Sequence, residues 1–218
     1  MSCNTDTSER PQTSKEELAN AISHGIGALG SLAAIPILVV GAARDGGAAE
    51  VIGAGIFGAT LLFLYLASTI YHALPAGKAK QIFQVVDHCA IFLLIAGTYT
   101  PVTLGVLRGS WGWSLFGVVW GFAIFGVFHK TIFGPGCPRR SSWLYLAMGW
   151  LVVVAALPMV NSVPIPGLLW LVAGGLAYTS GVVFFLADHR VRYAHFVWHL
   201  FVVAGSSCHF VAVYWYAG

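Results

Sequence analysis

Seven long apolar runs parted by short polar breaks dictate most of what this chain can fold into. The runs lie at about 18–43, 48–73, 81–107, 111–130, 142–159, 166–187 and 193–216. A helix rises about 1.5 Å per residue, so each run is long enough, or nearly so, to cross a hydrocarbon core of roughly 30 Å. Lipid offers no partner to a bare N–H or C=O, so a crossing segment is a helix or part of a closed barrel. The alternating segments of about ten residues that mark a barrel are missing. The expected fold is therefore all-α, a polytopic membrane protein built as a seven-transmembrane-helix bundle.

Composition agrees. Only 9% of the 218 residues are charged, against about 25% in a soluble domain whose surface meets water. The formal charge of +3 is too small and too scattered for a nucleic-acid partner. Residues 1–17 are polar and read as a disordered tail, and 18–218 as one transmembrane domain. No cleavable signal peptide is evident, because the first apolar run is too long for one. Cys3, Cys89, Cys137 and Cys208 lie far apart and are expected to be reduced.

Basic residues set the expected orientation. With the N-terminus in the cytoplasm, Arg10, Lys15, Lys78, Lys80, Lys130, Arg139, Arg140, Arg190 and Arg192 fall inside, and only Arg44 and Arg108 fall outside. Seven spans then leave Gly218 outside. Gly117 and Gly121 form a GxxxG pair that permits close helix approach. Pro36 and Pro101 sit within spans and are expected to kink them.

Eight histidines in so apolar a chain are the residues most able to carry chemistry, because ionisable groups within a membrane are costly. His195 and His199 are four apart on the last run and share a helix face, about 6 Å apart along the axis. His72 ends the second run one turn beyond Ser68, and Asp87 opens the third. The topology places His72, Asp87, His195 and His199 at one depth near the cytoplasmic side. Three imidazoles plus a water suit tetrahedral zinc, with Asp87 a fourth ligand or a base acting on the water. Each residue also has a plainer explanation. HxxxH can serve helix–helix hydrogen bonding, His72 can be interfacial, and Asp87 can complement a helix dipole.

The remaining histidines are less telling. His88 points about 100° away from Asp87. His24 starts the first run, either beside the site or in packing. His129 and His189 flank loops, and His209 is too far from His199 to share its ion, which suits interhelical hydrogen bonding.

At these residues the sequence resembles the hemolysin III branch of the progestin and adiponectin receptor superfamily. The resemblance rests on Ser68–His72, Asp87 with His88, the run Ile91–Pro101, His195–His199, the segment Asn20–Gly27 and the segment Ser206–Phe210. It implies seven helices with a cytoplasmic N-terminus, and zinc on His72, His195 and His199 beside Ser68 and Asp87. It also implies a bacterial inner-membrane location. Alkaline ceramidases belong to the wider superfamily, and its adiponectin receptors show ceramidase-like activity. Bacterial members are linked to cytolysis by name and to membrane-lipid homeostasis. This chain lacks the receptors' extended N-terminal region, so hormone recognition does not carry over.

Three functions are consistent with this sequence. The first is a zinc-dependent hydrolase of a membrane-lipid amide, with Asp87 as proton acceptor and Ser68 helping to stabilise the oxyanion. The second is a non-enzymatic sensor or homeostasis factor with structural zinc. The third is a pore-forming cytolysin. The expected small-molecule partner is a membrane lipid, as substrate or ligand.

Overall fold

The computed structural model describes residues 10–134 and 138–217. The readings of residues 1–9 as a tail, of Cys3 and Cys137 as reduced, and of Gly218 as external lie outside the described residues. So do the side chains of Arg139 and Arg140.

Among the described residues the protein is entirely helical, and seven helical spans are long and apolar enough to cross a membrane. Six are single helices: α1 (Ser14–Asp45), α2 (Ala48–Ala73), α3 (Lys78–Leu104), α4 (Ser110–Phe133), α7 (Ile165–Ala187) and α8 (Ala194–Tyr216). The fifth span is broken into α5 (Pro138–Gly149), a 3₁₀ stretch (Trp150–Ala155) and α6 (Ala156–Ser162).

α1 starts earlier than the apolar pattern suggests. Thr13 caps it, with Thr13 Oγ1 accepting from the Glu16 N–H and Glu16 Oε2 accepting from the Thr13 N–H at 2.9 Å. This reciprocal box fixes a helix start within polar sequence. Ser14–Glu17 are thus the first turn of α1, a correction to the tail assigned to residues 1–17. Gly109 (φ 113°) and Gly134 (φ 74°) bracket α4 in conformations that side chains rarely adopt.

α2 and α3 form the centre. Half of the most apolar stretch of each is buried, against 17% for α1 and α7. Phe57, Leu61, Leu64, Phe92 and Ala96 make the core. Large apolar side chains such as Leu29, Phe133, Val154 and Leu157 point outward, as a lipid solvent requires. Close helix approach occurs at glycines other than the GxxxG pair. A Cβ on Gly58 would lie 2.6 Å from Ile35, and one on Gly53 would lie 2.8 Å from Pro101, while Gly117 and Gly121 would meet nothing within 4 Å. Among the described residues, nothing packs closely against the GxxxG pair.

The break in the fifth span was not expected from its apolar run. Tyr99 of α3 reaches into it. Its hydroxyl lies 2.7 Å from Gly149 O and 3.1 Å from Met148 O, and accepts from the Val152 N–H at 2.9 Å. One buried phenol thereby serves backbone groups that an unbroken helix would have paired internally.

Candidate metal centre

The end of α2, the start of α8 and the first turns of α1 meet at one end of the bundle. His72 comes from the last turn of α2, and His195 and His199 from the first turns of α8. Their ring centroids are 5.0 Å (His72–His195), 5.0 Å (His72–His199) and 4.8 Å (His195–His199) apart. One ligand atom from each lies within 4.8 Å of the others. His72 and His199 are buried and His195 is partly buried.

The residues fit a metal because of what the other ring nitrogens do. His72 Nδ1 lies 2.6 Å from Glu17 Oε2, and His195 Nδ1 lies 2.9 Å from Asp188 Oδ2. His199 Nδ1 lies 3.2 Å from the Asn20 carbonyl and 3.0 Å from Ser23 Oγ. A carboxylate or carbonyl accepts, so each Nδ1 carries the proton and each Nε2 keeps its lone pair. This is how metal-ligating histidines are oriented and made more basic. His72 Nε2 is buried without any hydrogen-bond partner, a costly arrangement unless something outside the chain completes it.

Asn20 and Ser23 belong to the Asn20–Gly27 segment, whereas Glu17 and Asp188 stand outside every motif. Glu17 had been placed in the tail, and Asp188 precedes His195 across a loop, where no helical spacing marks it. The available signal was chemical. Each metal-bound imidazole needs an acceptor, and few acids stand at this end of the bundle.

Glu16 anchors the centre from the side. It takes two hydrogen bonds from Arg10, at 2.8 and 2.6 Å, and one from the Tyr193 N–H at 2.9 Å. Tyr193 caps α8 in a left-handed conformation (φ 59°), which is uncommon outside glycine. The carboxylate of Glu16 thus holds the turn from which His195 projects. Glu17 also pairs with Lys80 at 3.0 Å, which ties α1 to the start of α3.

Ser68 and Asp87 line a cavity of about 20 Å³ together with His24, His88, His195 and His199. That volume admits a single water. Asp87 and Ser68 are both buried at this cavity. His24 stacks on His199 with centroids 3.5 Å apart and planes 8° from parallel, so it forms a wall of the site. His88 stands outside the triad, yet it lines the same cavity as Asp87 despite their separation of about 100° on α3. His129 is exposed and His189 partly so. His209 bonds across helices to Leu171 O at 3.2 Å, as expected.

Beyond the polar cavity lies an apolar one of about 110 Å³, and beyond that another of about 270 Å³. The first shares Leu64, Ile91, Phe185, Trp198 and Val202 with the polar cavity. The small site lined by polar side chains thus abuts an apolar space.

Comparison with known proteins agrees with the resemblance read from the motifs. The profile of the family described as "Haemolysin-III related" matches residues 12–210. Hemolysin-3 of Bacillus cereus is 42% identical over 202 residues, covering 93% of this chain and 92% of that protein. The Hemolysin-3 homolog of Bacillus subtilis (strain 168) is 41% identical, covering 94% and 95%. The human monocyte to macrophage differentiation factor is more distant, at 31% identity over 77% of this chain and 71% of its own length. With seven membrane-spanning helices and bacterial relatives matched along nearly their whole length, the chain is a multi-pass bacterial membrane protein of the haemolysin-III related family.

Proposed function

We propose that the protein is a zinc-dependent hydrolase of a membrane-lipid amide, with its N-terminus in the cytoplasm and its site at the inner leaflet. The observation that carries this reading is the adjacency of three histidines, a buried carboxylate and a buried serine hydroxyl to an apolar cavity. Three imidazoles and no thiolate suit zinc, which His72, His195 and His199 would hold. When bound, it would supply Lewis acidity and lower the pKa of water toward about 7.

The chain's own residues perform the rest. Asp87 takes the proton of the attacking water as the water oxygen bonds to the amide carbonyl carbon. Ser68 donates its O–H to the developing oxyanion. The C–N bond then breaks, the proton held by Asp87 passes to the departing amine, and the products are a fatty acid and an amine. The apolar cavity takes the acyl chain and excludes water from the carbonyl. Turnover of defined ceramides and other lipid amides by purified, zinc-loaded protein tests this reading.

A second reading, a sensor or homeostasis factor with structural zinc, is favoured by the small size of the polar cavity, which holds little more than one water. It predicts full zinc occupancy with no turnover. A pore-forming role, suggested by the relatives' names, requires dye leakage from liposomes. The lining of the two apolar cavities does not favour an aqueous path.

A further inference from the structure

Five hydrogen bonds converge on the carboxylate of Glu16. Arg10 Nη1 and Thr13 Oγ1 donate to Oε2 at 2.8 Å, and the Thr13 N–H at 2.9 Å. Arg10 Nη2 donates to Oε1 at 2.6 Å, and the Tyr193 N–H at 2.9 Å. The Glu16 side chain is 3% exposed and that of Arg10 26%, so this bidentate pair is shielded from the screening that weakens surface ion pairs. Glu16 thereby clasps residues 10–13, which precede α1 and lie outside any helix, to the turn that starts α8.

Gln12 extends the contact. Its Oε1 accepts from Asn20 Nδ2 at 2.5 Å, and Asn20 lies about two turns into α1. The segment therefore turns back along the helix it precedes. Asn20 is fully buried. Its carbonyl accepts from His199 Nδ1 at 3.2 Å, and its Nδ2 lies 3.5 Å from His72 Nδ1. Tyr193, on the other side of the clasp, stands two residues before His195. Through Asn20 and Glu16 the segment thus reaches the surroundings of all three histidines. His72 is 3% exposed and His199 1%, so an ion held by them is enclosed and its exchange needs a local opening. The histidines are carried on packed helices, whereas residues 10–13 are held by side-chain bonds, which makes this segment the part that opens most readily.

We propose that residues 10–13 are a strap over the metal centre, closed by the Arg10–Glu16 ion pair and the Gln12–Asn20 hydrogen bond, and that its release sets the rate at which metal enters and leaves. The proposal rests on the zinc-binding part of the function proposed above. A strap differs from an orienting contact in its kinetics. Opening it speeds entry and exit together and leaves affinity nearly unchanged, whereas loss of an orienting contact such as Glu17–His72 weakens affinity.

The experiment is stopped-flow zinc exchange on the full chain in nanodiscs, with exit read as loss to excess chelator and entry as uptake by stripped protein. Arg10→Ala raises both rates about tenfold, the scale of one charge-assisted bidentate pair, with Kd within about threefold of the parent. Arg10→Lys, which keeps the charge but not the fork, falls between the two. Gln12→Ala, which leaves the ion pair and the helix cap in place, raises both rates about threefold, the scale of one neutral hydrogen bond. Glu17→Gln speeds exit alone. Unchanged rates in Arg10→Ala and Gln12→Ala, or faster exit from them without faster entry, overturns the strap and leaves the zinc reading intact. A parent that takes up no zinc overturns both.

Discussion

Glu17 and His72 are 55 residues apart in sequence, yet Glu17 Oε2 lies 2.6 Å from His72 Nδ1. The contact joins the first turn of α1 to the last turn of α2, and it leaves His72 Nε2 free on the side of His195 and His199. Asp188 does the same for His195 at 2.9 Å. Loss of such a partner typically costs 10–100-fold in metal affinity. Glu17→Gln and Asp188→Asn should each weaken zinc binding by about that factor while leaving one site per chain. Competition against a chromophoric chelator checks both. An unchanged affinity in either variant means that its carboxylate does not orient the imidazole.

The triad itself predicts stoichiometry. Elemental analysis of the parent should give about one zinc per chain, and His195→Ala should lose most of it. Because bound metal stabilises the folded state by mass action, the parent should melt at a higher temperature than this variant. The difference should vanish when both are stripped by chelator. A full equivalent of zinc retained in His195→Ala would remove His195 from the ligand set.

Much of this arrangement could be read before the structure. The seven runs were visible because lipid imposes length and hydropathy on every crossing, and HxxxH was visible because its two members share a helix. The start of α1 at Ser14 was hidden because the capping box of Thr13 and Glu16 sits in polar sequence that hydropathy assigns to a tail. Glu17, Asp188, Asn20 and Ser23 were hidden because their contacts with histidines are tertiary. The break at Trp150–Ala155 was hidden because Tyr99, the group that serves its backbone, belongs to another helix.

Packing gives a prediction independent of the metal. Gly58 lies against Ile35 at the α1–α2 contact, whereas Gly117 and Gly121 face open space. Gly58→Val should overpack that contact and cost about 1–3 kcal/mol. Gly117→Ala should leave stability within about 1 kcal/mol of the parent. Melting temperatures in a single detergent compare the two. Equal destabilisation would show that the GxxxG pair packs against something outside this chain.

The orientation proposed from the nine-to-two split of basic residues predicts that a reporter active only in the cytoplasm is silent when fused after Gly218 and active when fused before Met1. The reverse pattern would place the metal centre at the outer leaflet and exclude an inner-leaflet substrate.

The proposed hydrolytic site of Asp87 and the three histidines is tested by amide turnover of zinc-loaded parent and of Asp87→Asn, across a panel of ceramides and other lipid amides, with zinc content determined on the same samples. The parent should hydrolyse at least one of them measurably. Asp87→Asn should lose about 10²-fold or more at equal zinc content, the usual scale for removal of a general base. Parent protein with one zinc per chain and no turnover of any lipid amide would contradict the hydrolytic reading.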